Sequence, residues 1–326
     1  MEKVLVTGGC GFIGSNFVRM LLSQTELEVV NLDLLTYAGN PANLKDVQKN
    51  PRYTFAKGDI ADKKTVQKAM KGVDTVVNFA AESHVDNSIA DASEFVRTNV
   101  MGTKNMSECA IAAGVSRMVQ VGTDEVYGSV ETGSSKETDR LEPRNPYSAT
   151  KAASDLLALS YATTFGLDLV VTRSSNNYGP YQYPEKLLPL FITNLLEGKK
   201  VPVYGDGLNI RDWLHVQDNC RAILLAAQKG KKGEIYNIGG ENERQNIDVT
   251  NMILELMGKD SSSVQYVQDR KGHDRRYSLD SAKIKALGWR PSVKFEEGLR
   301  QTVEWYTENQ KWWKPLKAGK TKGAKK

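Results

Sequence analysis

An apolar run, Val4-Leu5-Val6, leads straight into Thr7-Gly8-Gly9-Cys10-Gly11-Phe12-Ile13-Gly14 and then into a helical pattern from about Gly11 to Leu22. Gly8, Gly11 and Gly14 recur every third residue. That spacing lets a strand turn tightly into a helix and brings backbone N–H groups close to a pyrophosphate at the helix N-terminus. Taken alone, the triplet is equally a glycine turn serving helix–sheet packing. The acid that follows favours a dinucleotide: Asp33 ends the next apolar run, 19 residues after Gly14. Its carboxylate can accept from a ribose 2′-OH and would repel a 2′-phosphate. No Arg or Lys occurs in Leu34-Leu35-Thr36, so NAD is expected rather than NADP.

Strand and helix patterns then alternate. Glu28 to Leu32 and Tyr53 to Ala56 read as strands, and about Asp62 to Met70 as a helix. Thr75 to Asn78 is the fourth strand. A long amphipathic stretch, about Ser93 to Ala113, precedes the strand Arg117 to Val121. A helix follows through Tyr147 to about Phe165, then the strand Leu169 to Val171. Near-continuous apolar strands in βα alternation predict an α/β fold with a doubly wound parallel sheet of the Rossmann type. Beyond Ser175, loops rich in Asn, Gly, Pro and Tyr suit a smaller substrate lobe. The expected division is an NAD-binding domain over 1–174, a substrate-binding lobe over 175–310 interleaved with the last part of the sheet, and a basic tail over 311–326.

The net charge of +5 misleads about partners. Lys311, Lys314, Lys317, Lys320, Lys322, Lys325 and Lys326 all lie in the tail, which carries no acid, so the rest is slightly acidic. The tail is expected to be a solvated, disordered end, dispensable beyond Trp313; no nucleic-acid partner is expected. No apolar run approaches the ~18 residues of a membrane span. A strand pattern that begins by Lys3 leaves no room for a signal peptide. Cys10, Cys109 and Cys220 form no C-x-x-C pair, which suits reduced thiols in a cytoplasmic protein. His84, His215 and His273 show no metal-ligand spacing, and no metal is expected.

The chemistry concentrates between Arg117 and Lys151. The apolar strand turns through Gly122-Thr123-Asp124-Glu125-Val126-Tyr127-Gly128, and a helix then opens at Asn145-Pro146-Tyr147. Tyr147 and Lys151 share a helix face, with roughly 6 Å between Cβ atoms. An ammonium beside a phenol favours phenolate, so Tyr147 is expected to act as a base near neutral pH. Two carboxylates beside that base exceed what a simple alcohol oxidation needs and point to a subsequent elimination. In isolation Asp124 and Glu125 would be solvated loop acids, but they follow a buried central strand. A second Tyr-x-x-x-Lys occurs at Tyr53 and Lys57. It falls on a strand, where residues four apart are about 13 Å distant, and reads as structural. Gly58-Asp59-Ile60 could meet an adenine, and Ala80-Ala81-Glu82-Ser83-His84 the nicotinamide side, although a lone His84 is equally structural. For a diphosphate, Arg211, Arg270 and His273 are the cationic candidates, with Asn246 and Tyr277 as hydrogen bonders. Arg211 could instead pair with Asp212, and Arg270 with Asp269. Tyr181 and Tyr183 read as packing residues.

The glycine loop, Tyr147/Lys151 and the alternation resemble the extended short-chain dehydrogenases/reductases. Within them the chain is most similar to the dTDP-glucose 4,6-dehydratases. The resemblance lies in Leu35 to Asn40, Ala80 to Asp86, Thr123 to Gly128, Tyr147 to Lys151, Ser175 to Pro180, Arg211-Asp212-Trp213 and Asp269 to Tyr277. Related epimerases keep the Tyr and Lys but usually lack the Asp-Glu pair. The loop between Gly128 and Pro146 is shorter than in some members, and Lys271 stands where Pro is common. The resemblance implies catalysis by Thr123, Asp124, Glu125, Tyr147 and Lys151: oxidation at C4 of a nucleotide sugar, loss of water across C5 and C6, and reduction at C6 with NAD. It implies cofactor contacts at Gly8, Gly11, Phe12, Ile13, Gly14, Asp33, Leu34, Leu35, Thr36, Asp59, Ile60, Ala80, Ala81, Ser83, Thr98, Tyr147, Lys151 and Asn177. Implied substrate contacts are His84, Thr123, Asn176, Lys186, Leu187, Pro202, Tyr204, Arg211, Asn246, Arg270, His273 and Tyr277. It further implies a homodimer paired through helices near Ser93–Ala113 and Tyr147–Phe165. A dehydratase or 4-epimerase for a UDP- or CDP-sugar is the alternative.

Overall fold

Apolar runs too continuous for one-sided burial become strands covered on both faces. The computed structural model describes residues 1–269 and 272–323. Its first half contains β1 (Lys3–Thr7), α1 (Phe12–Gln24), β2 (Glu28–Asp33), β3 (Tyr53–Lys57), α2 (Lys63–Ala69), β4 (Thr75–Asn78), α3 (Val85–Ala90), α4 (Ser93–Phe95), α5 (Thr103–Ala113), β5 (Arg117–Thr123), α6 (Pro146–Phe165) and β6 (Leu169–Ser174). The second half contains β7 (Asn176–Tyr178), α7 (Leu187–Leu196), β8 (Val201–Tyr204), β9 (Ile210–His215), α8 (Val216–Lys229), β10 (Ile235–Ile238), β11 (Glu243–Gln245), α9 (Asn246–Leu256), β12 (Val264–Val267), α10 (Ala282–Ala286), α11 (Phe295–Glu308) and α12 (Gln310–Gly323).

Among the described residues, seven strands form one sheet in the order β10-β6-β5-β4-β1-β2-β3. Every pairing in it is parallel. The order reverses between β1 and β4, and such a switch point opens a crevice beyond the strand C-termini. Alternate strand residues feed two cores. Val4, Val6 and Val119 meet Phe17, Leu21 and Ile223 on one side. Leu5, Val76 and Met118 meet Met106 and Ala158 on the other. A third core, with Trp213, Phe295, Tyr306 and Trp313, builds the C-terminal lobe. No helix among the described residues is long and apolar enough to cross a membrane.

Two expectations need correction. The stretch Ser93–Ala113 is helical throughout, but Val96–Gly102 forms a π-helical turn. A wider turn of this kind often marks a functional position, and Thr98 lies within it. The described part of the tail, expected to be disordered, is instead helical: α12 runs to Gly323. Trp313 is fully buried, and its Nε1 donates to the Tyr306 carbonyl at 2.7 Å. Lys317 Nζ donates to Asn194 Oδ1 and pairs with Glu197. The lysine count hid two tryptophans that supply the apolar area. Trp313→Ala should therefore cost about 3–5 kcal/mol, read as a lower urea midpoint; a loss below about 1 kcal/mol would show that α12 adds nothing to this core.

Candidate active site

The glycine loop is shaped by its neighbours. Gly8 has φ +66°, and a Cβ there would stand 2.8 Å from Ala80 N; one on Gly14 would stand 2.3 Å from the Gly8 carbonyl oxygen. The α1 helix opens at Gly11 without a side-chain cap and without an acid in its first turn. Its first N–H groups thus suit an anion. Asp33 is buried; its Oδ2 accepts from Cys10 N–H and its Oδ1 from Leu35 N–H, both at 2.8 Å. Burial raises its pKa, while those two N–H groups oppose the rise. A bare glycine cradle joined to a buried carboxyl fits a dinucleotide.

The turn that carries Thr123, Asp124 and Glu125 follows β5. Thr123 caps it by accepting from Glu125 N–H at 3.4 Å, and Gly128, at φ +75°, ends it. Asn145 and Ser148 form a capping box, and Pro146 supplies the fixed φ that starts α6. These two local signals set Thr123, Asp124, Glu125, Tyr147 and Lys151 around one cleft, which also takes in the glycine cradle.

Charge in the cleft is set mainly by burial. Asp124 is raised well above the carboxylate range by burial first, then by Glu125 and Asp212; Arg211 and the Thr123 hydroxyl oppose this. Its Oδ2 has no hydrogen-bond partner among the described residues. Burial therefore biases Asp124 toward its neutral form beside a second carboxyl, the kind of split environment that can separate an acid from a base. Tyr147 departs from expectation. Burial and then Glu125 push its phenol up, and the Thr123 hydroxyl offsets only part of that. Lys151 is lowered by burial against the charge of Asp155. Its Nζ donates to the Val121 carbonyl at 2.6 Å, so desolvation outweighs the ammonium in setting the phenol.

The model of the GDP-mannose 4,6 dehydratase family matches residues 5–302. The chain belongs to that family. It is 53% identical over 317 residues to a dTDP-glucose 4,6-dehydratase of Streptomyces griseus, covering 96% of each chain. It is 55% identical to DesIV, a dTDP-glucose 4,6-dehydratase from Streptomyces venezuelae solved with NAD and TYD bound, with a TM-score of 0.95 over 97% of this chain and 100% of that one. The UDP-glucose 4-epimerase of Thermus thermophilus, solved with NAD, shares 33% identity and a TM-score of 0.87 over 94% of this chain and 100% of the epimerase.

In this member of the dehydratase family, the cleft lining takes in every cofactor candidate except Leu35, together with Asn176 and Lys186. Leu35 packs against the core instead. His84 caps α3 by accepting from Asn87 N–H at 3.3 Å, and its Nε2 lies 3.5 Å from Glu185. Leu187, Pro202, Tyr204, Arg211, Asn246, His273 and Tyr277 also lie outside that lining. Tyr204 and His273 meet edge to face, and His273 bonds Asp269 at 2.6 Å. Arg211 does not pair with Asp212, since neighbours on β9 face opposite ways. It lies 4.2 Å from the Tyr277 ring centre and donates to the Asp274 carbonyl. Asn246 starts α9, and Arg270 lies outside the described residues. Arg211 and Tyr277 still border the catalytic pair, because Arg211 opposes the rise of Asp124 and Glu125 raises Tyr277.

Several lining residues escaped the sequence reading: Tyr37 and Gly39 after Thr36, Ser175 beside Asn176, and Gln182, Tyr183 and Glu185 beyond Asn176–Pro180, the stretch that resembles the family's hinge loop. The first three lie within Leu35 to Asn40 and Ser175 to Pro180, stretches already singled out, so the signal was there though no role was given to them. The last three come from a loop folded across the cleft, which has no period to read. Tyr53 lies on β3, where its hydroxyl accepts from Asn31 Nδ2 at 2.9 Å, and it packs as expected.

Because Asp33 stands where a 2′-phosphate would add charge, titration should show far tighter binding of NAD than of NADP; equal affinity would remove the role given to Asp33. Tyr147→Phe should slow oxidation of the sugar about 10²–10⁴-fold in single-turnover absorbance, as loss of a general base does. Tyr53→Phe should be nearly silent, and the reverse pattern would mean that the other Tyr-x-x-x-Lys carries the chemistry.

Proposed function

We propose that this protein dehydrates dTDP-glucose to dTDP-4-keto-6-deoxyglucose, a carbon–oxygen lyase reaction that consumes no net oxidant. The observation that carries the reading is the buried Asp124, biased toward its neutral form, beside Glu125, both within the cleft of Tyr147 and the glycine cradle. Dehydratase relatives about half identical in sequence support the sugar nucleotide. The Gly8–Gly14 loop and Asp33 would hold NAD, which would supply a hydride acceptor and donor and positive charge to the cleft when bound.

The chain's own groups move the protons. Tyr147 takes the proton of the 4-OH as C4 becomes a ketone, and Thr123 bonds that oxygen. A phenol raised by burial is a strong base once ionised, and Lys151 is the nearby source of compensating charge. The ketone acidifies C5–H. Glu125 removes that proton while Asp124 protonates the departing C6 hydroxyl, which leaves as water. Glu125 then returns its proton to C5 as C6 is reduced. Arg211 and Tyr277, beside the acid pair, and Lys186, whose Nζ donates to the Ser83 carbonyl at 3.1 Å, are assigned to the nucleotide sugar. So are His84, Asn176, Leu187, Pro202, Tyr204, Asn246, Arg270 and His273.

A 4-epimerase, or a dehydratase for a UDP- or CDP-sugar, is the second reading, supported by the likeness to epimerase structures. An epimerase has no use for a neutral acid at the C6 oxygen. We assign the cofactor to 1–174 and the sugar nucleotide chiefly to 175–310. A homodimer suits Val96, Met101 and Ile111 on the α4–α5 span and Leu156 and Phe165 on α6, which are large, apolar and exposed. A cytoplasmic setting suits the three cysteines, which are free thiols.

The direct test is incubation of the purified protein with dTDP-glucose and detection of the 4-keto-6-deoxy product; an epimer instead would reverse the assignment. Asp124→Asn and Glu125→Gln should still oxidise C4 and accumulate NADH absorbance in a single turnover, yet release product at least 10²-fold more slowly, as loss of a positioned acid or base does. In Glu125→Gln, exchange of the C5 hydrogen with solvent deuterium should also fall. Dehydration at the wild-type rate by both variants would exclude the acid pair from the reaction.

A further inference from the structure

The glycine loop is clamped from an unexpected direction. Cys10 sits between Gly8 and Gly11, and its N–H donates to the carboxylate of Asp33. Its carbonyl accepts from Asn40 N–H at 3.0 Å and from the side chain of Asn43, through Nδ2, at 2.9 Å. Asn43 lies in the 3-10 turn after β2 and is 1% exposed. The other end of its amide is also engaged, because Oδ1 accepts from Trp312 Nε1 at 2.8 Å. Trp312 is on α12, 269 residues away in sequence. A chain of hydrogen bonds thus runs from the C-terminal helix through one buried amide to the middle of the cofactor loop and on to Asp33.

The bond from Trp312 decides which way the amide faces. An indole N–H only donates, so Asn43 must present its oxygen to Trp312 and its NH₂ to Cys10. Without that donor, the buried oxygen is unpaired, and the opposite orientation becomes accessible, setting oxygen against the Cys10 carbonyl. Aromatic rings pack beside the indole, but its N–H bond goes to Asn43. Trp312 meets Trp305 and Tyr181 at 5.0 and 5.7 Å between ring centres. Arg19 of α1 lies 4.4 Å over the Tyr181 ring and also donates to the Asn43 carbonyl. Asn16 of α1 bonds the Pro180 carbonyl at 3.0 Å. The helix that opens the cradle is thereby tied to the hinge loop and to α12 together.

We propose that Trp312 and Asn43 are positioning residues that hold the glycine loop in its dinucleotide-binding shape, so that the C-terminal helix sets how long NAD stays bound. This rests on the dehydratase reading. In that reaction the hydride leaves C4 and returns at C6 in one cycle, and loss of the reduced cofactor between the two would strand the sugar oxidised.

The test uses full-length holoenzyme. The rate of NAD release is followed by exchange against a fluorescent NAD analogue in wild type, Trp312→Phe, Asn43→Ala, the double variant and Trp305→Phe. Trp312→Phe keeps a ring but lacks the donor, and should release NAD about tenfold faster, the effect of one buried hydrogen bond. Asn43→Ala should match it, and the double variant should add little, since both break one path. Trp305→Phe retains that path and should release NAD as wild type does. Activity lost by Trp312→Phe on gel filtration should return with added NAD. Unchanged release in Trp312→Phe, or equal acceleration in Trp305→Phe, would overturn the proposal. Should Asn43→Ala fail to fold, Trp312→Phe against Trp305→Phe decides alone. A wild type that binds no NAD would instead defeat the dehydratase reading, which separates the two failures.

Discussion

Lys151 Nζ donates to the Val121 carbonyl across 2.6 Å, and this bond joins α6 to the C-terminal end of β5. The lysine is 5% exposed, so it needs a fixed acceptor and a nearby negative charge to remain there. Val121 supplies the first and Asp155, one turn further along α6, the second. Asp155 is itself fully buried and bound to Arg173 of β6 at 2.9 Å. Three elements are therefore locked beneath the cleft by buried polar groups, and breaking one partner of such a pair leaves a costly lone charge. The phenol of Tyr147, four residues before Lys151, is placed by the same lock.

Above that lock, function depends on burial acting unequally on neighbours. Asp124 is buried, which favours its neutral form; Glu125, next in sequence, is partly exposed and supplies charge that raises Asp124, Tyr147 and Tyr277. One residue of rotation in the turn capped by Thr123 would exchange the two environments. The turn is held at both ends, by the Thr123 hydroxyl and by the left-handed Gly128, where a Cβ would lie 2.4 Å from the Glu142 carbonyl oxygen. The geometry of the turn thus decides which of the two carboxyls is buried.

Much of this was legible in the order of residues. The glycine spacing, Asp33, the βα alternation and the helical Tyr147/Lys151 pair are local signals with short-range physical causes, and the structure has each in its expected element. Strand ends were read one to three residues short at Asp33, Thr123 and Ser174, because polar residues at strand C-termini break the apolar pattern while still pairing. The six-residue α3 was too short to show a period. The tail misled because charge was counted before aromatic area.

What the sequence by itself determined was the fold class, the cofactor loop and the cluster of groups proposed to react, since each follows from spacing within about 30 residues. What only the tertiary structure decided was which acid is buried, that Lys151 bonds a carbonyl rather than tuning the phenol by charge alone, and that Trp312 reaches Asn43. Desolvation depends on everything packed around a group, and a contact between residues 43 and 312 leaves no trace in either neighbourhood of the chain. Those properties belong to the assembled interior, where low polarity makes each charge and each hydrogen bond count for more than it would in water.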